Sequence, residues 1–299
     1  MTDATLLEDR GVLRLTGPDR VAFLQGLVSN DVSRASPSRA LWAAFLTPQG
    51  KGLHDFFLVA AGEALLLETE AARLADLQRR LKLYKLRSKV ELIDASADYA
   101  VAAVWGPGAL EHLGLPAEPG AAVPFGGGLA FVDPRRAALG ARVLLPRAAA
   151  PALLAEAGCL ALPREGYDRL RLEEGVPDGS RDLVPEKSIL LENGFDELAG
   201  IAWDKGCWMG QELTARTKYR ALIRKRLLPV RLDGPAPPPG TPVLQAGREV
   251  GELRSSAAGL GLALLRLEAL RDGGLTAGEA HLAVRPPEWF ALPADAPAR

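Results

Sequence analysis

The residue best suited to chemistry in this chain is Cys207, one of two cysteines in 299 residues. It follows Lys205 by two positions and precedes Gln211 by four. A nearby ammonium group and a helix N-terminus both stabilise a thiolate, which is the reactive form of cysteine. Gly210 precedes a stretch that can begin a helix with Glu212 in its first turn, so the pattern predicts an activated thiol. The same pattern also fits a cysteine that only packs in the interior, because free cysteines are commonly buried.

Several motifs spread over the chain resemble one protein family. The segment Lys205–Glu212, together with Thr214–Arg220, resembles the signature of the YgfZ-type folate-binding proteins. Those proteins are similar to the T-protein of the glycine cleavage system, an aminomethyltransferase, and are linked to the maintenance of iron-sulfur enzymes. Trp208 stands where the family usually has tyrosine, so the aromatic ring is kept and the hydroxyl is lost. Further matching segments are Leu15–Leu27, Ser29–Val32, Leu46–Phe56, Tyr84–Val90, Leu170–Gly175, Gly240–Val243 and Val250–Ser256.

The resemblance implies tetrahydrofolate or a derivative as the cofactor, and it assigns Glu173 to the pterin. A pterin edge presents adjacent N–H donors, and one carboxylate can accept two parallel hydrogen bonds from them. Glu173 matches the acid of the pterin-binding segment in T-protein-like enzymes, with Glu174 in place of an alanine. The residue pattern alone also fits a solvated glutamate near a helix end. The ring of Trp208 is a candidate for stacking on the ligand, although such rings more often belong to a core.

Basic side chains after the signature are candidates for the glutamate tail of a folate, because guanidinium and ammonium groups pair with carboxylates. A run of charges can equally be a solvated face. Arg216 stands one turn after Glu212 and could form an ion pair with it that is purely structural. Gln211 and Glu212 could bond to the ligand or cap the helix that begins beside them. The candidates for the tail are Lys218, Arg220, Arg224, Lys225 and Arg226.

One position bears on whether the chain catalyses one-carbon transfer. T-protein carries two adjacent aspartates where this chain has His54 and Asp55. The resemblance therefore assigns Asp55 as the acid or base of a transferase, and it leaves one of the two carboxylates absent. An aminomethyl or one-carbon transferase, with Cys207 as a spectator, remains an alternative. A third interpretation is a redox interaction module in which Cys207 forms mixed disulfides with partner proteins.

Composition argues against several classes of protein. With 36 basic and 37 acidic residues the formal net charge is −1, so we expect no general attraction to nucleic acid or to a membrane surface. Two cysteines and three scattered histidines cannot form a disulfide framework or a metal site. Two thiolates are also too few for a four-cysteine cluster. The acidic first residues fit neither a secretory signal nor a transit peptide, and no apolar stretch approaches about 20 residues. We therefore expect a cytoplasmic protein without a membrane span.

Strands and helices follow one another without the strict alternation of a parallel sheet, which predicts an α+β fold. The resemblance specifies a ring of ferredoxin-like folate-binding units and a C-terminal antiparallel β-barrel. Short strands around and after a Pro-rich segment support the barrel. We expect two intertwined α+β subdomains over residues 1–225 and the barrel over residues 226–299. The Gly and Pro content of residues 116–128 predicts a loop, and residues 191–203 are predicted to form a turn and a short strand.

The leading interpretation is a tetrahydrofolate-binding protein that supports the assembly or repair of iron-sulfur enzymes, with Cys207 at the mouth of a central folate cavity. The expected partners are folate and iron-sulfur client enzymes or assembly factors. Turnover of aminomethyl donors would distinguish a transferase from this interpretation. The folate affinity of a Cys207→Ser variant would distinguish the redox module from the leading interpretation.

Overall fold

The computed structural model describes residues 2–220, 223–271 and 273–290. Within these residues the chain forms six α-helices and seventeen β-strands, joined by turns and short 3₁₀ segments. The helices are α1 (Arg20–Gln25), α2 (Ala71–Tyr84), α3 (Ala109–His112), α4 (Ala150–Glu156), α5 (Arg164–Glu173) and α6 (Gln211–Tyr219). The strands are β1 (Thr2–Leu6), β2 (Arg10–Thr16), β3 (Leu41–Leu46), β4 (Gly52–Ala61), β5 (Ala64–Glu70), β6 (Glu91–Asp94), β7 (Tyr99–Trp105), β8 (Ala122–Phe125), β9 (Gly128–Val132), β10 (Ala141–Pro146), β11 (Cys159–Ala161), β12 (Lys225–Asp233), β13 (Pro242–Gln245), β14 (Arg248–Ala257), β15 (Leu260–Arg266), β16 (Leu275–Ala277) and β17 (Ala280–Val284).

The chain divides into two compact units, each made of separate stretches of sequence. The first unit comprises Met1–Leu46, Leu53–Tyr167 and Leu198–Met209, and the second comprises Thr47–Gly52, Asp168–Glu197 and Gly210–Arg299. Cys207 and Asp55 therefore belong to the first unit, whereas Glu173 and α6 belong to the second. The expected boundary between residues 225 and 226 stays a prediction.

The first unit is built on two β-sheets among its described residues. One sheet runs in the order β3-β4-β5-β2-β6, and the other in the order β11-β1-β7-β10-β9-β8. Pairing is antiparallel between β2 and both β5 and β6, while β1 pairs with β11 in parallel. Helix α2 buries Leu74, Leu77 and Leu81 in the core beside the first of these sheets. Their spacing of three and four residues places them on one face of the helix, as amphipathic packing requires.

The second unit contains a closed antiparallel barrel in the order β12-β15-β14-β13-β16-β17. Its interior is filled by alternate apolar residues such as Val230, Val243, Leu253 and Leu265. Closure of the barrel leaves no unpaired sheet edge within it. The predicted α+β class and the predicted C-terminal antiparallel barrel are confirmed.

Two local predictions are wrong. Residues 116–128 hold β8, which pairs with β9 through the closing pair Phe125 and Gly128. Gly126 and Gly127 have φ values of 55° and 78°, as the two central residues of a tight hairpin turn require. The glycines that indicated a loop are therefore the turn of a hairpin. Residues 191–203 contain no strand in the described chain, because a 3₁₀ turn over Leu190–Asn193 is followed by irregular backbone.

Candidate functional site

The chain before Cys207 is fixed by polar side chains of the Ser29–Val32 motif. Ser29 Oγ donates to the carbonyl of Gly200 at 2.6 Å, and Asn30 Nδ2 donates to the carbonyl of Ala199 at 2.8 Å. Both side chains are buried, and Ser29 Oγ also accepts from the N–H of Ala44 in β3 at 2.8 Å. An irregular segment needs partners of this kind for its backbone groups, since it lacks a helix or a ladder to supply them. The two motifs therefore meet in the first unit.

Lys205 completes this connection. It is 7% exposed, and its Nζ donates to the carbonyls of Val28 at 2.8 Å and Asn30 at 2.6 Å. Burial lowers the pKa of Lys205 to about 8, although the negative charge of Asp31 acts in the opposite direction. The ammonium group is thus held by main-chain carbonyls. Its predicted second role, as a stabiliser of the Cys207 thiolate, stays a prediction.

Cys207 is exposed, although the residues around it are fixed. Lys205 anchors the chain on one side of the cysteine. On the other side Trp208 is 5% exposed and Met209 N–H donates to the carbonyl of Gly26 at 3.1 Å. The interpretation of Cys207 as a buried packing residue is therefore wrong. The local structure presents an accessible thiol between anchored residues of the first unit.

A cavity of about 550 Å³ lies in the first unit beside the same motif. Its volume falls within the range of small-molecule sites, which is roughly 300 to 1,000 Å³. Cys207 is not among the described residues that line it. The lining offers aromatic rings and both positively and negatively charged side chains to a ligand. The lining includes Asn30, Arg34, Arg39, Trp42, Glu118 and Trp203.

Asp55 does not line this cavity, but it is hydrogen-bonded to Trp42, which does. Trp42 Nε1 donates to Asp55 Oδ2 at 3.0 Å, and the aspartate is 5% exposed. Burial raises the pKa of Asp55 to about 6, while the charge of Arg10 and the bond from Trp42 oppose the rise. The carboxyl group can therefore change protonation state near neutral pH, as an acid or base must.

His54 cannot serve beside Asp55. Consecutive residues of a strand point to opposite faces of a sheet, and in β4 His54 faces α2, where its Nε2 lies 3.0 Å from Asp76 Oδ2. Burial and the nearby positive charge of Arg73 lower the pKa of His54 to about 4. Asp76 also accepts from Arg80 Nε at 2.7 Å. The position that carries the first aspartate in T-protein is thus part of the α2 packing in this chain.

The face of β4 that carries Asp55 also meets a buried layer of charge, which sequence patterns did not indicate. Arg10 Nε donates to Glu68 Oε1, and Arg142 Nη1 lies 3.5 Å from the same oxygen. Arg135 binds both oxygens of Asp133, with bonds of 2.9 and 2.7 Å. The guanidinium of Arg142 also lies 4.7 Å from the ring centroid of Phe57 on β4. A hydrophobic pattern does not predict buried arginines, because an arginine is usually exposed unless it is paired with a buried partner.

The signature helix α6 forms as predicted and begins at Gln211, after Gly210 with a φ of 82°. Glu212 and Arg216 are exposed, and the ion pair expected between them is not formed in the described structure. Exposure lets each side chain keep its hydration, so a one-turn pair gains little. Lys218 Nζ lies 2.9 Å from Asp196 Oδ2. Arg220 is exposed at the C-terminal end of the helix.

Glu173 ends α5 and is exposed. Its Oε1 accepts from Arg169 Nε at 3.0 Å, and the Glu173 side chain is 46% accessible. The other oxygen accepts no hydrogen bond from the described residues. An accessible carboxylate with one open oxygen fits a pterin edge, which would compete with Arg169 for the second oxygen. The exposed guanidinium groups of Arg216 and Arg220 likewise fit a carboxylate tail.

A buried network two residues before Glu173 was not predicted. Arg171 is 1% exposed, and its guanidinium donates to Asp168 at 2.9 Å, to Asp182 at 2.8 Å and to Ser255 Oγ at 2.9 Å. Ser255 Oγ in turn donates to Asp182 Oδ1 at 2.5 Å. Arg171 and Ser255 belong to two of the motifs that carry the family resemblance. The resemblance of both motifs to the family pointed to these segments, but it did not predict that Arg171 and Ser255 bond to each other.

None of the described helices combines the length and apolar character that a membrane span needs. No three or more His, Cys, Asp or Glu side chains in the described ranges are grouped so as to hold a metal ion.

Comparisons with known proteins identify relatives along nearly the whole chain. A family model described as GCVT N-terminal domain matches residues 7–121, and one described as CAF17, C-terminal beta-barrel domain matches residues 224–292. The human protein named iron-sulfur cluster assembly factor IBA57, mitochondrial, is 36% identical over 308 residues, covering 95% of this chain and 84% of its own. The mouse protein of that name is 35% identical, covering 89% and 78%, and its Mycosarcoma maydis homologue is 32% identical, covering 88% and 73%. This chain belongs to the IBA57 family.

The fold comparison agrees with this membership. The crystal structure of glycine cleavage system aminomethyltransferase T from Bartonella henselae matches with a TM-score of 0.76. The match covers 97% of this chain and 86% of that chain at 15% identity, so it shows a shared fold and nothing further. Together with the two family-model matches, it confirms the predicted aminomethyltransferase-superfamily fold with its C-terminal barrel. The relatives reported above are IBA57 proteins, and the narrower YgfZ-type assignment stays a prediction.

The prediction of a cytoplasmic location is contradicted. The human, mouse and M. maydis relatives are all named as mitochondrial proteins. That prediction rested on the acidic character of the first ten residues.

Proposed function

We propose that this IBA57-family chain is a tetrahydrofolate-binding factor for iron-sulfur cluster assembly in which Cys207 supplies the reacting thiol. The observation that carries the proposal is the exposed Cys207 on a segment fixed by Lys205, Ser29, Asn30 and Trp208. A rigid, accessible thiol has a defined position toward a partner and does not need to be ordered during binding. The relatives are named as assembly factors, which supports a cluster or its sulfur and iron as the cargo.

A single thiol sets a limit on what the chain does alone. Cys159, the other cysteine, is partly buried, and burial raises the pKa of its thiol. Thiolate is the ligand form of cysteine, so Cys159 is the poorer ligand. Ordinary clusters take four protein ligands. Cys207 would therefore contribute one ligand, and the others would come from a client enzyme or another assembly factor.

The proposed folate site uses the second unit. Glu173 accepts N–H donors of the pterin, and Arg216 and Arg220 pair with the carboxylates of the tail. Gln211, Glu212 and Lys218 lie on α6 of the same unit, whereas Trp208 belongs to the first unit and is 5% exposed. When bound, a reduced folate supplies one-carbon chemistry or a redox-active pterin. The part of this chain is to hold the pterin edge at Glu173 and the tail at the guanidinium groups.

Calorimetric titration with tetrahydrofolate tests the folate assignment. Replacing Glu173 by alanine leaves pterin donors unpaired and should weaken binding by roughly 2 to 3 kcal/mol. Glu165→Ala provides the matched control, since Glu165 is also an exposed glutamate of α5. Equal affinity of the folded Glu173→Ala variant and the wild type would refute the assignment.

A folate-dependent aminomethyl or one-carbon transferase remains the second candidate, because Asp55 has the raised pKa of about 6 that suits an acid or base. Assay of the purified protein with aminomethyl or methylamine donors distinguishes the two. Turnover that Asp55→Asn abolishes and Cys207→Ser leaves intact would establish the transferase and refute the assembly role of the thiol.

A further inference from the structure

The end of α2 and the turn after it expose three large apolar side chains in succession. Leu83 is 66% exposed, Tyr84 39% and Leu86 88%. Single apolar residues on a surface are common, but three within four positions form a patch that water solvates poorly. We refer to residues 82–89 as the 82–89 surface. It belongs to the first unit and includes none of the residues assigned above to folate or to cluster assembly.

The same residues carry an excess of positive charge. Lys82, Lys85, Arg87 and Lys89 lie between and beside the apolar side chains, and none has a carboxylate partner within 4.0 Å among the described residues. The nearby carboxylate of Asp19 accepts the backbone N–H of Lys89 at 2.7 Å. Since the whole chain has a formal net charge of −1, this local excess of cations is a departure from its average.

Leu86 is exposed because of the backbone conformation of the turn. Its φ is 43°, in the left-handed region that a leucine rarely adopts. Hydrogen bonds from Lys85 N–H to the carbonyl of Lys82, at 3.2 Å, and from Ser88 N–H to the carbonyl of Lys85, at 2.8 Å, fix the turn. Tyr84 packs edge-on against Phe45, with ring centroids 6.1 Å apart. These contacts define the conformation in which the 82–89 surface is exposed.

The arrangement favours a polypeptide over a membrane or a nucleic acid. A helix that binds a membrane surface does so through a long apolar face, and the apolar face of α2 is already buried through Leu74, Leu77 and Leu81. Leucine side chains have no specific contact to make with phosphates. An aromatic and aliphatic centre surrounded by cations is instead the complement of an acidic protein segment with apolar side chains.

We propose that the 82–89 surface is a docking site for an acidic segment of a partner protein. Leucine-like side chains of the partner pack on Leu83, Tyr84 and Leu86, while its carboxylates pair with Lys82, Lys85, Arg87 and Lys89. This inference stands apart from the proposed function, because it requires neither folate nor Cys207.

Fluorescence polarisation with a labelled twelve-residue peptide of alternating leucine and glutamate or aspartate tests the proposal. The wild-type chain should bind it saturably, and binding should weaken at least tenfold in Leu86→Ser and in the double variant Lys85→Glu, Arg87→Glu. The controls are Leu160→Ser and Lys187→Glu, which alter an exposed leucine and an exposed lysine elsewhere. A peptide with glutamine and asparagine in place of the acids should bind at least fivefold more weakly. Thermal unfolding of each variant shows that it is folded.

Three outcomes would overturn the proposal. The first is the absence of saturable binding of the acidic peptide to the wild type. The second is an equal loss of affinity in the control variants. The third is binding of vesicles of 70% phosphatidylcholine and 30% phosphatidylserine, or of a 20-nucleotide single-stranded DNA, with no binding of the peptide.

Discussion

Two regions of the molecule follow the same arrangement with different chemistry. In the first unit buried Lys205 precedes exposed Cys207 by two residues, and in the second buried Arg171 precedes exposed Glu173 by two residues. Lys205 is held by two main-chain carbonyls, whereas Arg171 is held by two carboxylates and a hydroxyl. In each case one residue of a motif fixes the backbone and another is presented to solvent.

The difference between the two anchors has a consequence for stability. Arg171 neutralises the buried carboxylate of Asp182, so its loss leaves that charge without its cationic partner in the interior. Lys205 satisfies carbonyls, so its loss leaves neutral groups without donors. Removing Arg171 should therefore cost more unfolding free energy than removing Lys205. Removing the exposed residue that follows each of them should cost less than either.

The largest effect is expected for Arg171→Met. Removing the guanidinium leaves the fully buried Asp182 without its cationic partner, at a cost of about 3 to 5 kcal/mol in the free energy of unfolding, while Asp168 keeps its pair with Arg181. Urea denaturation measures this. Arg169→Met is the matched control on the same helix, since Arg169 is 64% exposed and its pair with Glu173 contributes about 0.5 kcal/mol or less. Equal stability of the two variants would show that the buried network is not an anchor.

The two faces of β4 are expected to give opposite pH dependence. Asp55 has a folded pKa of about 6, above its ordinary 3.8, so between pH 4 and 6 the native state binds more protons and stability falls as pH rises. His54 has a folded pKa of about 4, below its ordinary 6.5, so between pH 4 and 6.5 the unfolded state binds more protons and stability rises with pH. Each contribution is about 3 kcal/mol, and in the wild type they largely cancel.

Single variants should reveal each contribution. Between pH 4 and pH 7, Asp55→Asn should gain about 3 kcal/mol of unfolding free energy relative to the change in wild type, because only the His54 contribution remains. His54→Gln should lose a similar amount over the same range. Urea denaturation at several pH values gives both. Parallel pH profiles for the wild type and both variants would contradict the assignment of opposite shifts.

A smaller cost, about 2 kcal/mol, is expected for Lys205→Met. The variant removes hydrogen bonds to the carbonyls of Val28 and Asn30, while it also removes the cost of burying a charge. Guanidinium denaturation compares it with Lys187→Met, which changes an exposed lysine and should alter stability by about 0.5 kcal/mol or less. A loss as large as that of Arg171→Met would remove the distinction between the two anchors.

The smallest effect is expected for Arg216→Ala. The side chain is exposed, so stability should change by about 0.5 kcal/mol or less. Affinity for a triglutamyl tetrahydrofolate should fall by about 1 kcal/mol, with a smaller change for the monoglutamyl form. Arg248→Ala is the control, because Arg248 is an exposed arginine of the barrel. Unchanged affinity for both forms would exclude Arg216 from the tail site.

Much of the fold could be predicted from the sequence, because periodicity and turn chemistry are local. Helix α6 begins at Gln211, directly after Gly210, as predicted. β11 and β16 were not predicted, since each has three residues and too little length for alternation to be detected. The helix was predicted by the glycine before it and by the acid Glu212 in its first turn, which are properties of neighbouring residues.

The candidate site could be predicted only in part. Cys207 and Glu173 were identified as candidates by motif, but the roles of Lys205 and Arg171 depend on partners that lie far away in sequence, such as Val28 and Ser255. Sequence spacing contains no information on which distant carbonyl or carboxylate a buried cation meets. The opposite orientations of His54 and Asp55 could have been predicted, because they follow from the two-residue period of β4 alone.

We propose that Cys207 acts in iron-sulfur cluster assembly and that folate binding is independent of it. The most direct test expresses variants in cells that lack their own IBA57-family protein and measures the activity of an iron-sulfur enzyme. Cys207→Ser should keep the tetrahydrofolate affinity of the wild type and lose the recovery of enzyme activity, whereas Cys159→Ser and Asp55→Asn should retain most of it. Full recovery by Cys207→Ser together with failure of Asp55→Asn would contradict the claim and establish the transferase.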